Sequence, residues 1–224
     1  MQTRLESKIK ILATPAISSV IEDNFDEFAA SLRDLQLPGV TSCDLQVLHE
    51  PRTEGFKVGV SVNVEFSTQS LPTVEALADV YACARKIAPA CDGRLLDQNL
   101  GAVAIEQRTY GSKEGCAALV TSYYRWTDKN PESERERALV EHLEMEKSEP
   151  LYRSVHFNKV IASVGICPAP HDFIFEGYCV SRDDILAIYD KPALQAMRRH
   201  TEQFLDTSSR ALAWGGIKKI HSLR

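Results

Sequence analysis

From Lys8 to Tyr110, and again from Cys116 to Ile220, the hydrophobic pattern of this chain runs strand, helix, strand, strand, helix, strand. A duplication on that scale constrains the fold more than any single motif, because each copy must be one supersecondary unit and the two must share a core. The 224 residues are 44% hydrophobic and 25% charged, an ordinary globular composition that suits two halves, 1–112 and 113–224, each near the usual domain size.

In the first half a strand over Lys8–Ala13 leads into a helix whose apolar positions Ile21, Phe25, Phe28, Leu32 and Leu35 advance by three or four. Pro38-Gly39 ends it. After a strand from Val40 to Leu48 and a Pro- and Gly-rich turn over 50–55, strict alternation sets Val58, Val60, Val62, Val64 and Phe66 against Gly59, Ser61, Asn63 and Glu65. Thr73 opens a second helix that Pro89 and Gly93 close, and Ala102–Tyr110 is the last strand.

The second half repeats this order. Cys116–Trp126 reads as a strand, Asn130-Pro131 as a helix start with Asn as cap, Tyr152–Val164 and Asp172–Val180 as strands, and Ser181 with Asp184 as a capping box. Pro192 must kink or divide the following helix, since it lacks a backbone donor. Ala211–Ile220 closes the unit, and Gly111–Gly115 links the halves. Each half is thus a ferredoxin-like βαββαβ plait, and the fold class is α+β. A single plait leaves one sheet face bare, so two in one chain are expected to pack sheet to sheet as a pseudo-dimeric barrel.

Several function classes are excluded or disfavoured. A net charge of -5 offers no basic field for nucleic acid, and no apolar run is long enough to span a bilayer, so neither partner is expected and the reading is cytoplasmic. The cysteines at 43, 83, 91, 116, 167 and 179 form no CxxC pair and read as free thiols. The histidines lack metal-ligand spacing, and no Gly-rich phosphate loop is present, so neither a metal nor a nucleotide is expected.

The element order, the Leu37-Pro38-Gly39-Val40 sequence and the stretch Asp183-Asp184-Ile185-Leu186-Ala187-Ile188-Tyr189-Asp190-Lys191-Pro192-Ala193-Leu194 resemble the dimeric α+β barrel superfamily, in particular its EthD-like and stress-responsive branches, in tandem fused form. In that family an acidic helix start leads to a Tyr and a His-Pro-Ala-His run. Here Lys191 and Leu194 stand where the two histidines would be, so that family acid/base does not carry over. The resemblance implies a cofactor-independent enzyme of lyase or cyclase type, a dehydratase, decarboxylase or isomerase among the variants, acting on an aromatic or polyketide-like small molecule. It also implies a possible homodimer. An oxygen-using monooxygenase, without cofactor or with haem, and a non-catalytic binding barrel are the alternatives.

Alternation supplies candidate residues. If Val155, Phe157 and Ile161 face the helices, Ser154, His156 and Asn158 point into the barrel, and His156 becomes the leading acid/base candidate, with a packed histidine whose nitrogens are both hydrogen-bonded as the slightly favoured alternative. Glu176 and Tyr178, on the opposite face to Phe173 and Phe175, complete a catalytic set, with structural pairing of Glu176 to Arg153 or Lys218 as the alternative. Tyr124, Trp126 and Trp214 are candidates to sandwich a flat substrate, with Asn158 and Asn63 as polar contacts, although core packing is the favoured explanation of the aromatics. The first half has Asp44, Gln46, Ser61, Asn63 and Glu65 as its polar set and is expected to shape the wall while the second half reacts. His142, His171, His200 and His221 read as solvated or structural.

Overall fold

Strand alternation and helical stripes of this kind close into one barrel. The computed structural model describes residues 4–51, 57–67, 72–88, 91–165, 171–189 and 191–223. The elements are β1 (Arg4–Ala13), α1 (Ser18–Asp23), α2 (Phe25–Leu35), β2 (Val40–Pro51), β3 (Val60–Phe66), α3 (Val74–Lys86), α4 (Gly93–Asn99) and β4 (Leu100–Gly111), then β5 (Ala118–Trp126), α5 (Glu132–Lys147), β6 (Ser154–Gly165), β7 (Phe173–Cys179), α6 (Arg182–Tyr189), α7 (Pro192–Thr201) and β8 (Leu205–Ser222). Cys167 and most of the turn expected over 50–55 lie outside the described residues.

The strands form a closed barrel in the order β1-β3-β2-β8-β5-β7-β6-β4. Within each repeat the order is that of a ferredoxin-like plait, whose two edges are its second and fourth strands. Both edges are used: β2 pairs antiparallel with β8, and β4 with β6, so the halves are joined by backbone hydrogen bonds as well as by sheet faces. Closure removes the open edges that a lone plait would present.

Alternation then divides the core into three layers. Ile9, Ile11, Leu45, Val60, Val62 and Val64 pack under Phe25, Phe28, Leu32, Leu77 and Val80 of the first helices. Val120, Tyr124, Val155, Phe157 and Phe173 pack under Leu139, Leu143, Ile185, Ile188 and Phe204 in the second half. Inside the barrel, Leu12, Val103, Ile105, Leu119, Tyr123, Ile174 and Tyr178 form a third cluster. Among the described residues no helix is long and apolar enough to cross a membrane.

Local signals were obeyed unevenly. Thr73 caps α3, its Oγ1 accepting from the Ala76 N–H at 3.1 Å. Ser181 and Asp184 form the capping box, and Pro192 begins a separate helix, α7. Asn130 is not a cap: its Nδ2 donates to the Gln203 carbonyl at 2.6 Å, and α5 starts beyond Pro131. The first helix breaks at Asn24 and ends at Gln36, which takes a left-handed conformation (φ 48°) before Pro38-Gly39 is reached. Helix α4 lies where only a terminator was expected.

Two strand assignments also change. Val58 packs inside the barrel rather than with Val60, because the chain bends at Gly59, where a Cβ would lie 2.9 Å from Pro15 Cα. Ile161 does not face the helices; the β4–β6 register skips from Val160 to Ala162, leaving Ile161 as the extra residue of a bulge, 38% exposed. The linker turns at Gly111, whose φ of +80° and approach to the Arg153 carbonyl, 2.0 Å from a built Cβ, leave no space for a side chain.

Candidate functional site

The lumen holds the residues that alternation assigned to it, joined in one polar network. Glu176 of β7 receives Lys8 Nζ at 2.8 Å and Asn158 Nδ2 at 3.0 Å on Oε2, and Lys10 Nζ at 2.7 Å on Oε1. Lys10 also donates to Asn63 Oδ1 (2.7 Å) and Gln46 Oε1 (3.1 Å), so its three protons are all engaged. Asn63 in turn donates to Asp44, and Lys113 from the linker reaches Asp44 (2.6 Å) and Glu65 (2.9 Å) at one end of the barrel. Gln46 donates to the Tyr178 phenol oxygen at 2.9 Å. Lys8, Lys10 and Lys113 thus face Asp44, Glu65 and Glu176, a formal balance of charge in the interior.

His156 is held at both ring nitrogens. Gln107 Nε2 donates to Nδ1 at 2.8 Å, which places the imidazole proton on Nε2, 3.0 Å from Ser154 Oγ, and that hydroxyl donates to the Tyr110 carbonyl. Burial, and then the Lys8 ammonium, push His156 down to about 3. Burial alone would raise the Glu176 carboxyl, but Lys10 and Lys8 hold it well below the usual range. Burial and Glu176 push the Tyr178 phenol well up, and burial lowers Lys10 to about 8 against the pull of Glu176. Near neutral pH the three candidate catalytic groups therefore each keep one protonation state.

This has a measurable consequence. A histidine neutral in the folded chain, with its pKa lowered from 6.5 to about 3, contributes stability that is present above 6.5 and lost as the pH falls toward 3. The urea midpoint is expected to drop between pH 6.5 and about 5, before ordinary carboxylates titrate. In His156→Gln that part of the curve should flatten; an unchanged slope would assign the drop to another group.

The aromatic candidates lie on the other face of the sheet. Tyr124 and Trp214 belong to the layer under α5, α6 and α7, and Trp126 packs on Phe173 at 5.4 Å between ring centroids, with Arg135 over it at 5.6 Å. They do not meet His156. Glu176 pairs with neither Arg153 nor Lys218; Lys218 binds Glu22 on the outside. Since both lysines on Glu176 come from β1, the expected division into a reacting half and a wall does not hold for the lumen.

A different feature separates the halves. Between the second sheet and α5 and α7 lies a cavity of about 50 Å³, walled by Tyr124, Tyr152, Phe157, Phe173 and Phe204 and by His142 and Glu146. His142 Nε2 lies 3.2 Å from Glu146 Oε1, one helical turn along α5, and both side chains are about 95% buried. Among the described residues His142 Nδ1 and Glu146 Oε2 have no hydrogen-bond partner. Arg210 stands over the Tyr124 ring at 5.8 Å and donates to Ser122 at 3.4 Å. In the first half the same layer is filled by Phe25, Phe28, Leu32, Leu77 and Val80.

The residues missed in the sequence had a legible signal. Lys8 and Lys10 alternate with Ile9 and Ile11, which sets both lysines on the face away from the helices. His142 and Glu146 fall on the buried stripe of α5 with Ala138, Leu139 and Leu143, so His142 is a core residue and not a solvated one. His171 too is buried, its ring 5.6 Å from that of Tyr123. The five described cysteines are free thiols, with Cys43, Cys83 and Cys179 buried and Cys91 and Cys116 partly exposed. Among the described residues no cluster of three or more His, Cys, Asp or Glu could hold a metal ion.

No family model and no curated protein sequence matches the chain. Solved structures do. An anthrone oxidase-like protein superposes with a TM-score of 0.67 at 12% identity, over 98% of this chain and 93% of its own. A candidate monooxygenase from Lactobacillus acidophilus NCFM gives 0.55 at 12% identity over 99% and 97%, and one from Fusobacterium nucleatum gives 0.51 at 11% over 99% and 96%. These likenesses show the fold alone, an α+β barrel built from two ferredoxin-like repeats in one chain. His156, the histidine that the haem reading would use, has both ring nitrogens engaged by Gln107 and Ser154, so it offers no free ligand atom to an iron.

Proposed function

We propose that this barrel binds a small flat aromatic molecule and transforms it by proton transfer, with His142 as the base and Glu146 as the carboxylate that orients it. The observation that carries the reading is the buried His142–Glu146 pair at an aromatic-walled cavity, each member retaining one unpartnered polar atom. A carboxylate on Nε2 fixes the tautomer that leaves Nδ1 free to accept a proton. The lumen set His156, Glu176 and Tyr178 then serves as a rigid frame, because its polar atoms are engaged with one another. A cavity of about 50 Å³ takes only the reacting edge of a ring, so most of a molecule such as anthrone would stand outside it.

Support comes also from the structures it resembles, which are named for oxidation and oxygenation, and from the Asp183 to Leu194 stretch, which favours the EthD-like branch. Those names motivate a second reading, in which the carbanion formed by proton removal is trapped by dioxygen. Anthrone separates the two. Under argon in D₂O, protein-dependent exchange of its central methylene protons, followed by NMR, supports the base. Oxygen uptake in air, one O₂ giving anthraquinone and water, supports the oxygenase. Binding with neither exchange nor uptake overturns both and leaves a binding barrel.

A further inference from the structure

We propose that the barrel lumen is a second binding chamber, separate from the sheet–helix cavity, for a neutral and mainly apolar molecule carrying a hydroxyl group. At the end of the barrel opposite Lys113, an open cavity of about 320 Å³ is lined on the inside by Leu12, Val103, Val160 and Ile174 and on the outside by the exposed end of β6, Ile161 to Ser163 and Gly165, with His171 and Asp172 also in its wall. That volume lies at the lower end of the range of small-molecule pockets, about 300–1,000 Å³, and its inner wall is apolar while Ser163, His171 and Asp172 make the rest polar.

Beneath the apolar mouth the lumen contains polar atoms with nothing to bind. Ser61 Oγ, Gln107 Oε1 and Thr121 Oγ1 have no hydrogen-bond partner among the described residues, and all three residues are at most 1% exposed. They come from three strands, β3, β4 and β5, and all face inward. Ser61 stands directly opposite Leu12 in the β1–β3 register, Gln107 lies on the same face of β4 as Val103 but four residues further along, and Thr121 is paired with Glu176, so the three stand deeper in the lumen than the residues that line the cavity. An unsatisfied buried polar group costs about 1–3 kcal/mol, so two hydroxyls and an amide oxygen on one interior surface point to an occupant that supplies the missing bonds.

The chemistry of that occupant follows from what the lumen already holds. Gln107 Nε2 gives its two protons to His156 and Asn158, so only the Oε1 acceptor remains, and it requires a donor. Serine and threonine hydroxyls can meet a group that both donates and accepts. The charges of Lys8, Lys10 and Lys113 are matched by Asp44, Glu65 and Glu176, so an ionic head would enter a balanced interior with no counter-charge. An alcohol or phenol on an apolar body satisfies both conditions, with its body among Leu12, Val103, Val160 and Ile174.

The full chain titrated with 1-naphthol, naphthalene and 1-naphthoate tests this by calorimetry or NMR. 1-Naphthol is expected to bind about tenfold more tightly than either of the others, the effect of roughly 1.4 kcal/mol of hydrogen bonding. Val103→Trp, which fills the mouth, should abolish 1-naphthol binding, and Ser61→Ala, which leaves the packing intact, should lower the preference over naphthalene. Leu194→Trp, which fills the other cavity, should leave it unchanged. Equal binding of 1-naphthoate, no binding of 1-naphthol, or binding lost in Leu194→Trp but kept in Ser61→Ala would overturn the proposal. The last outcome would place the ligand in the sheet–helix cavity, whose own chemistry is judged separately by anthrone exchange. Should Val103→Trp fail to fold, Ser61→Ala and Leu194→Trp decide the question.

Discussion

Glu176→Gln is expected to destabilise the fold by about 3–5 kcal/mol, because it leaves two ammonium groups buried without their counter-charge. Lys8 and Lys10 both end on Glu176, and all three side chains are wholly inaccessible to solvent. In a chain of this size such a loss corresponds to roughly 10 °C in Tm or more, readable by calorimetry. The companion variant isolates the cause. Replacing the three together, Lys8→Met, Lys10→Met and Glu176→Leu, removes charge and counter-charge at once and should recover most of the stability, since well-packed apolar groups often substitute for a buried ion pair at little loss. A Tm for Glu176→Gln close to that of the natural chain would mean that this network does not form in solution.

The second large effect is expected at α5. His142→Phe keeps a ring of similar size against Phe157 and Phe204 but removes the imidazole base; on a substrate found by the anthrone screen it should lower kcat by about 10²–10⁴-fold. His156→Gln should leave turnover unchanged while altering the pH dependence of stability. Glu146→Gln should shift the pH profile of kcat, a readout that a merely packed residue would not move. If His156→Gln is inactive and His142→Phe is not, the reacting set lies in the lumen after all.

The contrast between these two histidines shows how far the sequence could be read. Alternation aimed His156, Asn158, Glu176 and Asn63 into the barrel, and they are there. It also oriented Lys8 and Lys10, yet their partner is 168 and 166 residues away, and nothing local couples β1 to β7. His142 was hidden differently. Helix α5 is so rich in charge that its buried stripe is faint, and a polar side chain on that stripe looks like part of a solvated face. Where short-range chemistry decides the outcome, as for the Thr73 cap, the Ser181–Asp184 box and Pro192, the residues themselves were sufficient. Asn130 is not the cap because its side chain is turned to the Gln203 carbonyl, distant in sequence, and α5 begins one residue later, after Pro131.

The amino-acid order alone determined the two βαββαβ units and which face of each strand is polar, since both follow from side-chain periodicity over a few residues. The tertiary structure decided what those polar faces meet. Pairing of β2 with β8 and of β4 with β6 turns two half-exposed sheets into a closed wall, and only then do surface-like lysines become interior cations that need Glu176. The physical reason is range: periodicity is a local property of the chain, whereas the low-dielectric interior that makes each lumen charge demand a partner exists only once the barrel has closed.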